Sequence, residues 1–316
     1  MARGYMDSRI FLTAVELGVF DRIGRGSATA RGLAGSLGSD PEATEILLDA
    51  LAGLGLLRKT GEDYAVEDGP VESLVPGSRG YQGGAFRHLA NLWKPWSRLT
   101  EVVRKGRLPQ PRWTEDQRRD LAMEMERLAT GKAERLASLL GSHKVRKLLD
   151  LGGGPGSYAI AFARKFPSLR AVIIDRDDRA LEVANERILG SNLQGRVETR
   201  KGDFFLDSPG EGFDLVILSS VVCLLGSEEI LFVLRRVRET LEADGRIAIL
   251  DIMLEDSRTH PPDAAIFAVN MLLTTESGRC VTVSGIKGWL EEAGFVDAHR
   301  LPAGHSCLVI GKKPPL

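Results

Sequence analysis

Residues 147–163 read KLLDLGGGPGSYAIAFA. An apolar run closes on Asp150, a loop of four glycines and one proline follows, and a helix of small apolar residues opens at Ser157-Tyr158. Strand, glycine turn and helix in that order predict an α/β layer with a ligand brought close to backbone at the strand's end. The spacing narrows the ligand. A P-loop needs Lys-Ser/Thr after its last glycine, and here Gly156 is followed by Ser157-Tyr158, which excludes it. A dinucleotide loop needs G-x-G-x-x-G, and counting from Gly152 and Gly154 the third glycine falls on Ser157. Pro155 removes a further amide donor. The loop fits a ligand that packs on backbone without needing every amide for phosphate.

From Lys144 onward, strands alternate with helices, the pattern of a parallel sheet with crossover helices. The sequence predicts strands at 147–151, 170–175, 196–201, 213–218 and 246–251, with a helix at 228–241 before the last. A helix over GIKGWLEEAGF stops at Gly294, and FVDAHRL and CLVIGKK close the chain as an antiparallel pair. Asp175 ends the second strand, where an acid accepts both hydroxyls of a ribose. The third strand runs into KGDFF, where Asp203 can accept from an exocyclic amine and Phe204 can cover a purine ring. Together these residues describe a nucleoside with a short polar tail and no pyrophosphate.

The front of the chain has a different pattern. Phe11, Val15 and Val19 fall at helical spacing behind Asp7 and Ser8, TARGLAGSLG forms a second helix stopped by Gly38, and Asp40-Pro41 caps a third. LLRKTGEDYAV reads as two short strands around Gly61, so three helices and a wing make a winged-helix-like module. DNA binding would send the third helix into a groove, yet it carries Asp40, Glu42, Glu45 and Asp49 and no Lys or Arg. Lys plus Arg is 42 against 43 for Asp plus Glu, so no global basic field draws nucleic acid either. A protein–protein role is expected instead.

Residues 85–140 are helical. His88, Leu92 and Trp96 stand at i, i+4 and i+8 with Trp93 beside them, Pro95 would start, kink or break a helix, and EDQRRDLAMEMERLATGKAERLASLL reads as one long amphipathic helix carrying Met123. Singly these side chains suit core packing; as a group between two domains they could line an apolar pocket. The three cysteines, Cys223, Cys280 and Cys307, form no CxxC, so neither a disulfide framework nor a zinc site is indicated and a reducing cytoplasm fits. No His/Asp/Glu spacing suggests a metal. The first residues lack a signal-peptide core, and the longest apolar stretch, LVILSSVVCLL, is too short to span a bilayer, so no membrane role is expected.

LLDLGGGPG, Asp175, GDFF at 202–205 and FDLVILSSVV resemble the S-adenosylmethionine motifs of class I methyltransferases. The winged-helix front, the linking helices, NMLLTTESGR and WLEEAGF narrow the resemblance to the O-methyltransferases of plant phenylpropanoid, acetylserotonin and bacterial antibiotic-tailoring type. It covers nearly the whole chain and implies a fold: a Rossmann-like, seven-stranded α/β catalytic domain preceded by an all-α, winged-helix-like dimerisation domain. The implied layout is 1–84 for dimerisation, 85–140 as a helical linker lining the acceptor pocket, and 141–316 for S-adenosylmethionine binding and catalysis. Gly152, Gly154 and Gly156 would contact the methionine part and sugar, with Asp150 orienting the loop or joining them. Asp175, with Arg176 beside it, would hold the ribose, Asp203 and Phe204 the adenine, and Ser219 would face the sulfonium. S-adenosylhomocysteine would be the product, and a homodimer would form through the front domain.

The family pattern breaks at the base. Many members follow the fourth strand with a segment like LHDW.DE, whose His is the general base; this chain reads VVCLLGSEE, with Cys223 in that place. GRCVT puts Cys280 where plant members carry an orienting Glu, while Asp251 matches the other supporting acid. Cys223 sits in an apolar run, which raises a thiol pKa. His88 is then the candidate base; His260 precedes two prolines, and His143, His299 and His305 stand in no constellation. Methyl transfer from a sulfonium can proceed on alignment and desolvation, so the acceptor class widens from phenol, hydroxyl or carboxylate oxygen to sulfur, nitrogen and carbon. His88, Trp93, Trp96, Met123, Cys223, Asn270 and Met271 are the expected acceptor lining, with Asn270 placed to position a polar group. A non-catalytic S-adenosylmethionine-binding regulator is the competing class.

Overall fold

The computed structural model describes residues 2–110, 112–140, 145–303 and 306–315, in two compact units, Met1–Lys94 and Pro95–Leu316. The unit boundary falls within the 85–140 segment.

The first unit runs α1 (Gly4–Leu17), α2 (Val19–Ile23), β1 (Ser27–Thr29), α3 (Ala30–Leu37), α4 (Pro41–Gly53), β2 (Leu57–Thr60), β3 (Asp63–Val66), α5 (Asp68–Leu74) and most of α6 (Gly83–Ser97). Thr29 caps α3 and Asp40 caps α4, each side chain accepting a backbone N–H of its helix's first turn. The three strands form an antiparallel sheet in the order β1-β3-β2. The three-residue β1 follows the turn at Gly24 and Gly26 and runs straight into α3, too short to show an alternation in the sequence. Phe20, Leu48, Leu51, Leu57 and Tyr64 fill the core. Asp49, one of the acids on α4, accepts from Lys59 Nζ at 2.6 Å and from the Tyr64 hydroxyl at 2.7 Å.

The second unit continues with α7 (Leu99–Lys105), α8 (Glu115–Ala129), α9 (Lys132–Leu140), β4 (Lys147–Leu151), α10 (Ser157–Lys165), β5 (Arg170–Asp175), α11 (Asp178–Gly190), β6 (Val197–Lys201) and β7 (Phe213–Ser219). A 3-10 turn (Val222–Leu224), α12 (Ser227–Thr240), β8 (Leu241–Asp251), β9 (Met253–Leu254), α13 (Pro262–Thr274), β10 (Val281–Thr282), α14 (Val283–Glu292), β11 (Val296–Ala303) and β12 (Ser306–Lys312) complete it. The long helix expected over 115–140 is two helices, because Gly131 adopts a left-handed conformation (φ 73) between them. Pro95 stays inside α6 and breaks nothing; the helix ends two residues later, and α7 follows after one residue. Among the described residues no helix is long and apolar enough to cross a membrane.

Seven strands form the central sheet in the order β11-β12-β8-β7-β4-β5-β6. The five strands from β8 to β6 are parallel, and β12 inserts antiparallel between β8 and β11. Alternation within each strand assigns the two faces. Leu148, Ile173, Ile217 and Leu308 pack with Phe162, Ile160 and Leu136 on one side, and Leu149, Leu151, Val216 and Ile249 pack with Ile230, Leu234 and Leu290 on the other. Each such side chain contributes about 1.5–3 kcal/mol by leaving water. From β4 the chain moves outward to β5 and β6 and then returns to β7 beside β4. That reversal opens a crevice at the carboxyl ends of β4 and β7, where open α/β sheets bind ligands.

Candidate active site

Parity in β4 turns Asp150 toward α10, and the carboxyl is wholly buried. Its Oδ2 accepts from Ala159 N at 3.1 Å, while Oδ1 has no hydrogen-bond partner among the described residues. Burial, with Asp175 nearby, pushes its pKa up to about 7, and the Ala159 amide only partly offsets this. The glycine loop folds directly over it. Gly152 N donates to Ile174 O at 2.8 Å, and Gly156 packs so tightly that a Cβ there would lie 2.5 Å from Ile173 Cδ1. Gly154 faces the other way: a Cβ on it would have only Asp175 Oδ2 near it, at 3.9 Å.

Asp175, at the end of β5, closes the loop from the side. Its Oδ2 accepts from Gly154 N at 2.8 Å and its Oδ1 from Asp177 N at 2.9 Å. Burial raises its pKa, and the two amides counter the shift. Arg176 next to it is exposed. Gly202 N donates to Asp175 O at 3.0 Å, which brings the segment after β6 alongside. There Asp203 accepts from Phe205 N at 2.8 Å, and Phe204 is half-buried against Phe205, ring centroids 4.9 Å apart.

Ser219 ends β7 half-buried, its side chain hydrogen-bonded to that of Tyr158, whose hydroxyl is pushed up to about 12 by burial. Tyr158 escaped the sequence reading. Its signal was one polar ring in the small apolar run that opens α10. Cys223 lies in the turn after β7 and is 2% exposed. Its N–H donates to Asp251 Oδ2 at 3.1 Å, and its thiol also bonds that carboxylate. Asp251 Oδ1 accepts from Ile252 N at 2.8 Å. Burial pushes Asp251 up to about 6 and Cys223 well above an ordinary thiol. Cys280 donates its thiol to Ile252 O at 3.1 Å and is pushed up to about 12 by burial and Asp251. The residues expected to hold the cofactor thus gather at the ends of β4, β5, β6 and β7, and Cys223 and Cys280 flank the acid that ends β8.

The acceptor set is divided between the units. His88 is 9% exposed and Trp93 packs under the Arg9 guanidinium, both in the first unit. In the second, Trp96 Nε1 donates to Asn270 Oδ1 at 3.0 Å, and Met271 is buried beside Asn270 on α13. Met123 stands on α8, 41% exposed, and that helix packs on α11 through Ala122, Ala180 and Val183. His299 is exposed and bonds Asp297 O, and His143 and His305 lie outside the described residues.

A family model described as the O-methyltransferase domain matches residues 114–296, and one described as the O-methyltransferase dimerisation domain matches residues 1–71. The chain belongs to the O-methyltransferase family. It is an S-adenosylmethionine-dependent methyltransferase. It is similar to a 3-hydroxy-5-methyl-1-naphthoate 3-O-methyltransferase of Streptomyces sahachiroi, 31% identical over 93% of this chain and 87% of that one. It is similar also to the tetracenomycin polyketide 8-O-methyl transferase of Streptomyces glaucescens, 29% identical over 99% and 95%. An O-methyltransferase family protein from Burkholderia thailandensis superposes with a TM-score of 0.85 at 26% identity, over 99% and 96% of the two chains. The residues present fit the donor this family uses. The open face of Gly154 leaves room for a ligand on backbone, Asp150 keeps an unpartnered buried oxygen, and each Asp175 oxygen has a second lone pair for a hydroxyl.

Proposed function

We propose that this methyltransferase transfers its methyl group to a hydroxyl oxygen of a small aromatic acceptor, in the tailoring of a secondary metabolite in the cytoplasm. The donor site is the observation that carries the proposal: one carboxylate, Asp175, holds the glycine loop through Gly154 and stands beside the GDFF segment. S-adenosylmethionine, when bound, supplies a methyl group on a positively charged sulfur, ready for in-line displacement. The chain's own residues do the rest. Gly152, Gly154 and Gly156 let the backbone approach, with Asp150 orienting the loop from beneath; Asp175 would hold the ribose; Asp203 and Phe204 would take the adenine. Ser219 and Tyr158 form a fixed hydroxyl pair at the end of β7, next to the crevice. Trp96 holds Asn270 in place to orient a polar group of the acceptor. The similar Streptomyces enzymes are named for methylating hydroxyls of a naphthoate and a tetracenomycin polyketide, which supports a fused aromatic acceptor.

Incubation with methyl-labelled S-adenosylmethionine and a panel of hydroxynaphthoates, hydroxyanthraquinones and catechols should yield labelled aryl methyl ethers. Tight S-adenosylhomocysteine binding with no label in any acceptor would favour a regulator. Asp175→Ala should weaken S-adenosylhomocysteine binding by about 1–3 kcal/mol in calorimetry, because polar partners lose their acceptor. Unchanged affinity would remove Asp175 from the ribose.

A further inference from the structure

We propose that the acceptor hydroxyl reaches this enzyme already ionised, as a phenol or enol acidic enough to shed its proton to water, because the base position is sealed by the Cys223–Asp251 pair. The proposal rests on O-methyl transfer to an aromatic hydroxyl and names which hydroxyls qualify.

Three observations seal the position. Cys223 is 2% exposed, and its amide and thiol both bond Asp251. Asp251 is 3% exposed, and its other oxygen is taken by Ile252 N. The neighbouring loop closes over the turn: Arg279 N donates to Cys223 O at 2.8 Å, and a Cβ on Gly278 would fall 2.4 Å from that oxygen. The titratable groups facing Cys223 and Asp251 come from every adjoining element. Cys280 lies on the loop before β10 with its thiol donated to Ile252 O, Cys307 pairs across from Asp251 on β12, and Tyr158 of α10 is bonded to Ser219. Burial raises the pKa of Cys223, Cys280 and Tyr158, so each is a held proton donor at neutral pH. Asp150 has a free oxygen but lies under the glycine loop, where a Cβ on Gly153 would come 2.7 Å from its Cγ. None of these groups around the Cys223–Asp251 pair is both accessible and ready to take a proton.

The chemistry balances without one. The acceptor's O–H proton passes to solvent before capture. A bond forms between the acceptor oxygen and the methyl carbon, the carbon–sulfur bond breaks, and its electron pair stays on sulfur. The negative and positive charges vanish together, which a dry crevice favours.

The test uses hydroxynaphthalenes graded in acidity by electron-withdrawing substituents. At pH 7, kcat/KM should rise as the hydroxyl becomes more acidic and level off once it is ionised. The rising limb of each pH profile should move with that acceptor's own pKa. In a readout free of turnover, Cys223 should resist carbamidomethylation by iodoacetamide up to pH 9, followed by mass spectrometry. Cys223→His should raise kcat/KM for the least acidic member roughly tenfold or more, since a positioned base contributes about 10²–10⁴-fold. A limb fixed near about 6.5 for every acceptor and lost in His88→Gln would assign the proton to His88 and overturn the proposal. So would carbamidomethylation of Cys223 with an apparent pKa near neutrality. Rates independent of acidity would sink this proposal alone, whereas no ether from any member even at alkaline pH would sink O-methylation of phenols with it.

Discussion

Asp150 is a carboxyl whose folded environment favours the neutral form. Its pKa is raised from 3.8 to about 7, so the native state binds its proton more tightly than the unfolded chain does. The sign follows: the ionised carboxyl destabilises the fold at alkaline pH, and that penalty fades as pH falls from 7 toward 4. A shift of this size corresponds to at most about 4 kcal/mol. Asp150→Asn keeps the shape and can still accept from Ala159 N. At pH 8 it should therefore stabilise the protein by about 1–3 kcal/mol in chemical denaturation, less than the maximum because its amide hydrogens also lack partners. The advantage should shrink at pH 5. The same variant should bind S-adenosylhomocysteine more weakly, and equal stability at both pH values would show that Asp150 is already neutralised by a partner.

Between strands and loops, the stretch 275–280 is held from two sides. Arg107 donates to Thr275 O at 2.9 Å, to Met271 O at 3.1 Å and to Gly278 O, so one side chain ends α13 and fixes the loop after it. Glu229 at the start of α12 accepts from Ser277 Oγ and from Gly226 N, each at 2.6 Å. Arg107 is largely exposed, which screens its charge, so Arg107→Met should cost only about 1–2 kcal/mol of unfolding free energy. Hydrogen exchange at amides 276–280 should speed up, and Arg107→Lys should recover less than half, because an ammonium cannot fork across several carbonyls. Unchanged exchange would mean that Glu229 holds the loop unaided. None of this was legible in the sequence, since Arg107 meets its partners more than 160 positions away. The strands were legible, because β4 and β5 are apolar on both faces and carry an acid at or next to their carboxyl ends. The early start of β8 at Leu241 was not: LEADG reads as a helix end and turn, and the register against β7 shifts there between Phe213 and Leu215. The split between α8 and α9 was hidden for a similar reason, as apolar spacing runs on through Thr130-Gly131. In the site, each expected cofactor residue stands in a strand-end motif, so the gathering of these residues was legible. The bond of Cys223 to Asp251 could not, because it depends on how two strand ends are aligned.

The front unit matches a dimerisation domain, and its surface carries exposed apolar side chains: Tyr5, Met6, Leu17 and Ile46. Sedimentation should give twice the chain mass, and Ile46→Glu should raise the dimer dissociation constant tenfold or more. A dimer indifferent to that change would place its contact elsewhere on the unit. The second unit carries the donor motifs complete within one sheet, while the expected acceptor residues are drawn from both. Donor chemistry was therefore readable from one run of motifs, and acceptor identity is spread over side chains that no motif joins. One bond bears on how quickly the donor is captured. The Gly154 amide is already fastened to Asp175, so the loop is ordered when the chain folds and not when its nucleoside arrives. Little freedom remains to be lost at the encounter, and capture should be limited by how often donor and crevice meet in the right orientation.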